Sequence, residues 1–128
     1  MPNESIVLNF KGRVPSKKNS RQIFTKGKRV INIPSRGFQR FKKESMQRIK
    51  PIPKPLEPPY KAEYLFEMRG EATFSDIDNM IASLNDIAQD AGIIKDDKYI
   101  MKIVAEKHPA SDEYLTEMKI TEIGKNNE

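Results

Sequence analysis

Apolar and polar residues alternate through Ile6, Leu8 and Phe10, so residues 5–11 read as a half-buried strand. A loop follows over 11–21, where Gly12, Pro15, Ser16 and Asn19 are turn formers. Ile23-Phe24 and Val30-Ile31 flank Lys26-Gly27-Lys28 and predict a short hairpin. Beyond Ser35, a candidate N-cap, Phe38, Phe41, Ser45 and Ile49 form one stripe of a helix. Its other sides carry Arg36, Arg40, Lys43 and Arg48. Pro51, Pro53, Pro55, Pro58 and Pro59 forbid continuation, making 51–59 an extended, stiff connector. The clearest strand comes next: Tyr60, Ala62, Tyr64, Phe66 and Met68 alternate with Lys61, Glu63, Glu67 and Arg69. Its apolar face is expected to pack on helices. Ile77, Ile81, Leu84, Ala88 and Ala91 predict a second helix over about 78–91, with Gly92 as its C′ residue. Residues 99–106 and 114–123 are expected to form a hairpin around His108-Pro109. In its second strand Tyr114, Thr116, Met118 and Ile120 point one way, Glu117 and Lys119 the other. The tail 124–128 is expected to fray.

Strands and helices mixed with antiparallel hairpins indicate an α+β fold, with a mixed or antiparallel sheet and two main helices in a single domain over 1–128. No internal repeat is visible. Hydrophobic residues at 37% and charged residues at 32% describe an ordinary globular chain. No run approaches the roughly 20 apolar residues of a membrane span. Residues 1–11 lack a signal-peptide pattern, and the absence of cysteine excludes disulfides and thiolate metal sites. A cytoplasmic address is expected.

Charge changes the picture. Residues 1–60 hold 15 Lys/Arg against Glu4, Glu44 and Glu57, a balance of +12, and residues 61–128 hold 8 Lys/Arg against 15 Asp/Glu, a balance of −7. A basic half joined to an acidic half suits a polyanion-binding surface beside a site that needs carboxylates. Two solvated faces would give the same balance.

The acidic half centres on Asp76-Ile77-Asp78-Asn79, at a strand-to-helix junction, and on Asp96-Asp97 after the helix. In extended chain, residues two apart point the same way, so Asp76 and Asp78 can face one site. A 14-residue helix is roughly 21 Å long, so Asp96 and Asp97 join them only if the following turn is brought back. Such a cluster suits Mg²⁺ or Mn²⁺, hard ions that prefer carboxylate oxygens and promote phosphodiester hydrolysis. Plainer roles fit the same residues: Asp76 or Asp78 as a helix cap, Asp96-Asp97 as turn formers. An EF-hand is excluded, because counting from Asp76 the required glycine and glutamate are absent. His108, the only histidine, reads as a bystander in a polar turn.

Asp76-Ile77-Asp78-Asn79, a helix ending Asp90-Ala91-Gly92-Ile93, then Asp96-Asp97, resembles without a gap the signature of the RusA family of Holliday junction resolvases. Weaker likeness extends to Pro15-Ser16, Asn19 and Arg21, which resemble the family's basic loop, and to residues 116–124, similar to its closing strand. The resemblance implies a homodimeric, metal-dependent endodeoxyribonuclease (crossover junction resolvase) that uses Mg²⁺ or Mn²⁺ and no organic cofactor. It further implies symmetric nicking of four-way or branched DNA in recombination and repair, in a bacterial or phage setting, with no membrane partner. By position, Asp76, Asp78 and Asp97 match the family's catalytic, metal-binding acids. Asp96 is an adjacent acid of less certain duty, and Asp86 and Asn79 are supporting.

Lys17, Lys18, Arg21, Lys28, Arg29, Arg36, Arg40 and Lys43 are the residues expected to hold DNA phosphates. Four residues after Asp78 the family commonly carries a lysine, and this chain has Ala82. Either another cation (Lys95, Lys98 or Lys18) substitutes, or the chain is a catalytically weak branched-DNA-binding or regulatory protein. A basic adaptor with a capped acidic helix is the reading outside this class.

Overall fold

The computed structural model describes residues 4–15, 22–26, 29–33, 36–69, 76–110 and 114–124. In chain order these form β1 (Ser5–Lys11), β2 (Gln22–Lys26), β3 (Arg29–Ile33), α1 (Arg36–Arg48), β4 (Tyr60–Arg69), α2 (Ile77–Asp90), a 3₁₀ turn (Asp97–Tyr99), β5 (Ile100–Ala110) and β6 (Leu115–Glu122). A mixed four-stranded sheet has the order β1-β6-β4-β5, and β2 and β3 make a separate antiparallel ribbon. The architecture is α+β with two α-helices, as the periodicities predict. Among the described residues no helix is long and apolar enough to cross a membrane.

One expected pairing is corrected. Strands β5 and β6 do not form a hairpin: β4 lies between them, parallel to β5 and antiparallel to β6. The reason lies in how each strand is buried. Ala62, Tyr64, Phe66 and Met68 of β4 and Thr116, Met118 and Ile120 of β6 are buried, so both strands take interior places. Met101 and Ile103 of β5 remain exposed, and Pro109 lacks an N–H, which suits an edge. His108 and Pro109 are therefore strand residues, opposite Glu67 and Met68 of β4, and not a turn. Parallel pairing of β4 with β5 requires a crossover, and α2 supplies it.

Both helices share one face of the sheet. Phe41 of α1 and Met80, Leu84, Ile87 and Ala88 of α2 join Leu8, Phe10, Tyr64, Phe66, Met118 and Ile120 in one core. Phe10 and Phe41 stack at 6.1 Å. The 51–59 connector is docked and does not hang free. Leu56 is buried, its N–H donates to the Ile93 carbonyl at 2.9 Å, and the Tyr60 hydroxyl donates to the Leu56 carbonyl at 2.6 Å. Glu57 N–H donates to the buried Glu122 carboxylate at 2.7 Å, tying the connector to β6.

Helix α2 ends as its sequence predicts, with Gly92 at φ +77°. A β-carbon added there meets nothing within 4 Å, so backbone conformation alone penalises a substitution. Gly92→Ala is expected to cost about 1 kcal/mol, the penalty of the left-handed region for an L-residue. Urea unfolding should show a lower midpoint with an unchanged slope. An unaltered midpoint would mean that the turn relaxes into another conformation.

Candidate functional site

Helix α2 carries an acidic group at each end. At its start, Asp76 occupies the N-cap position with extended backbone, yet its side chain makes no capping hydrogen bond. Its Oδ2 instead accepts from the Asn79 side-chain amide at 3.2 Å, and Asp78 Oδ1 accepts from the Asn79 N–H at 3.0 Å. Asn79 is buried, so it fixes both carboxylates at the first turn, where the helix dipole favours negative charge. Capping does not account for Asp76.

At the far end the chain reverses through Gly92 and returns beside the last turns of α2. Asp97 N–H donates to Gln89 Oε1 at 3.1 Å, and Asp96 Oδ1 accepts from Lys98 N–H at 2.9 Å, capping the 3₁₀ turn. The turn-forming role therefore holds for Asp96. Partial burial, a hydrogen bond shared with the Asp96 carboxyl, and the charges of Asp96 and Asp86 raise the pKa of the Asp97 carboxyl from its ordinary value. Its charge also adds to the burial that pushes the Tyr64 phenol up. That phenol donates to Asn85 Oδ1 inside the core.

Asp78 and Asp86 are eight residues apart, roughly 12 Å along the helix axis. The fold thus gathers Asp76, Asp78 and Asn79 at one end of α2, and Asp86, Asp96 and Asp97 at the other. Among the described residues no group of three or more His, Cys, Asp or Glu is placed to hold a metal ion. The donor chemistry nonetheless suits a hard divalent cation. Mg²⁺ is usually held by one or two carboxylates, with waters and substrate phosphates completing its shell, so either acidic pair meets that need without a closed cage.

Ala82 lies between the two groups, half-buried. Of the cations expected to replace a lysine there, Lys95 Nζ instead lies 3.4 Å from Glu57 Oε2, and Lys98 Nζ sits 5.3 Å from the centre of the Tyr99 ring. Lys18 falls outside the described residues. The cation on this acidic face is Lys42, from α1. Its Nζ lies 2.9 Å from Asp86 Oδ2 and also pairs with Asp90. Burial opposes the Lys42 charge, but hydrogen bonds to Asp90 and Asp86 and their charges outweigh it and raise its pKa from the ordinary lysine value. Periodicity offered a signal for Lys42, which stands four residues after Phe38 and next to Phe41, at the rim of the buried stripe.

Arg36, Arg40 and Lys43 are exposed on α1. Arg29 belongs to β3, opposite Lys26. Lys17, Lys18, Arg21 and Lys28 lie outside the described residues. The Pro15 carbonyl accepts a 2.7 Å hydrogen bond from the Ser83 hydroxyl of α2. His108 pairs with Glu106 at 2.9 Å on the exposed edge strand.

The crowding around Asp97 has a consequence for stability. Its folded pKa is raised, so the ionised form is disfavoured in the native state, and stability rises as pH falls through that pKa. Asp97→Asn, which carries no charge, is expected to melt slightly higher than the parent at neutral pH. The gap should close on acidification, as the parental carboxyl protonates. A lower melting temperature at neutral pH would mean that the ionised carboxylate is stabilising.

No protein-family model matches this chain, and no curated protein matches it.

Proposed function

We propose that this chain is a metal-dependent, structure-specific endodeoxyribonuclease that resolves four-way junctions by paired symmetric nicks, acting as a homodimer. The observation that carries the reading is Asp76, placed at the α2 N-cap but not used as a cap, and coupled through Asn79 to Asp78. A purely structural helix start would direct that carboxylate at its own backbone N–H groups.

Each group has a task. Asp76 and Asp78 at one end of α2, and Asp97 at the other, would supply carboxylate oxygens for Mg²⁺ or Mn²⁺. Such an ion, when bound, offsets phosphate charge and makes water a better nucleophile. Asn79 holds the first pair in position. Lys42 offsets the charge of Asp86 and Asp90. Arg36, Arg40 and Lys43 would grip DNA phosphates, giving an affinity that falls steeply with salt and follows branch shape over sequence.

A second reading is favoured by the separation of the two acidic groups: a branched-DNA-binding protein that scarcely cuts. Incubating the protein with a synthetic four-way junction and Mg²⁺, beside a linear duplex and a chelator control, separates the two. Paired nicks bearing 5′-phosphates, on the junction only and abolished by chelation, are expected. Tight junction binding without nicks would leave the second reading standing, and no preference for the junction would end both.

A further inference from the structure

Strand β5 is an outer strand of the sheet, with no further strand on its outer side among the described residues, and its composition there is unusual. Met101, Ile103 and Val104 are 63%, 50% and 40% exposed. Natural proteins spoil such edges with bulges, prolines and charges, because a free ladder of N–H and C=O groups templates pairing with another chain. Here the bulge lies at Met101, where the β4–β5 register shifts, and the proline is Pro109. Both sit outside a regular segment, 102–106, that pairs residue for residue with β4.

We infer that this segment is the self-association surface of the protein, and that two copies join β5 to β5 antiparallel, with the two-fold axis at Val104. The sequence is self-complementary about that point. Val104 meets its symmetry mate, Lys102 of each copy meets Glu106 of the other, and Ile103 meets Ala105 on the helix-covered side. Two opposite-charge cross-strand pairs thus flank an apolar centre, an arrangement that stabilises antiparallel strands. A two-fold axis uses the same patch on both copies, so association closes at the dimer. Glu106 already contacts His108 at 2.9 Å but stays well exposed, which leaves its carboxylate room for a second cation. The other outer strand, β1, lacks this symmetry. Centred on Leu8, it would set Lys11 against Ser5 and Val7 against Asn9, with no charge pair.

The inference does not depend on the nuclease reading, which expects a dimer without naming its surface. It has a topological result that bears on that reading. Antiparallel pairing sets the start of β5, and with it Asp96-Asp97, at the same end of the joined sheet as the partner's α2 N-terminus, which carries the partner's Asp76 and Asp78. The acidic groups that one chain keeps apart are thereby brought to a shared end.

The test is made without DNA or metal, so its failure is distinct from failure to cut. Sedimentation velocity of the native protein should show a dimer. Lys102→Glu places two carboxylates opposite Glu106 and is expected to weaken the dimer roughly tenfold or more, and Lys102→Glu with Glu106→Lys restores it. The chain contains no cysteine, so Val104→Cys provides a clean second readout. Directly opposed residues in an antiparallel pair have Cα atoms roughly 4.5–5.5 Å apart, inside the disulfide range. Mild oxidation should give a covalent dimer from Val104→Cys and none from Leu115→Cys, an exposed site on β6. A native monomer at about 100 μM, a dimer indifferent to Lys102→Glu, or equal cross-linking at both cysteines would each overturn the assignment.

Discussion

Asp78→Asn is expected to lower junction cleavage by at least roughly a hundredfold while junction affinity changes little. Substituting groups that merely support a metal ligand commonly costs 10–100-fold, so loss of a direct carboxylate should cost no less. The change is nearly isosteric. Asn keeps the Oδ1 that accepts from the Asn79 N–H at 3.0 Å, and the position is exposed, so folding should be preserved. What disappears is the charge, and with it most of the attraction for a hard cation. Arg36, Arg40 and Lys43, proposed to hold phosphates, lie on α1, so the salt dependence of binding should stay as it is in the parent. Cutting at the parental rate would remove Asp78 from the mechanism.

Phe66→Ala is expected to destabilise the protein by about 3–5 kcal/mol. Phe66 is fully buried on β4, flanked by β6 and β5, and stacked on Tyr64 with ring centres 6.3 Å apart. Truncation removes its transfer free energy and leaves a void that neighbours on two strands and α2 cannot collapse into. Against a total stability of about 5–15 kcal/mol for a chain of this size, that is a large fraction. Thermal unfolding should shift down by more than about 10 °C. Leu65→Ala, one residue away, is the control: that side chain is 38% exposed on the open face and should cost under about 1 kcal/mol. Similar losses at both positions would mean that the open face is covered in solution.

The helices and strands β1, β4 and β6 were legible from periodicity alone, because each buries one face and the spacing of apolar residues records which. Tyr60–Arg69 is the clearest instance. The partners of a strand leave no such record. The β5–β6 hairpin was misread because His108-Pro109 has the composition of a turn, whereas its surroundings make it the end of an outer strand. Local chemistry cannot tell those apart when the deciding fact is that β4, forty residues earlier, fills the gap between them. The candidate site divides in the same way. Asp76, Asp78, Asp96 and Asp97 were visible as a spacing, but that they gather at opposite ends of α2 follows from the crossover. Lys42 reaches Asp86 from 44 positions away: periodicity puts Lys42 at the rim of the α1 stripe, but its partner follows from the way α1 and α2 lie on one sheet face.

The place of β6 sets the order in which a newly made chain can finish. It comes last among the described strands, yet it lies inside the sheet between β1 and β4, and Glu122 N–H donates to the Glu4 carbonyl at 2.9 Å. Among the described residues β1 therefore pairs only with a strand that comes far later in the chain, and its pairing waits for that strand. The β4–α2–β5 unit can assemble early, but one side of β4 stays open until then. Placing β6 is thus the step that completes the sheet, and a chain lacking it would present two unsatisfied strand edges, on β1 and β4, to every neighbour.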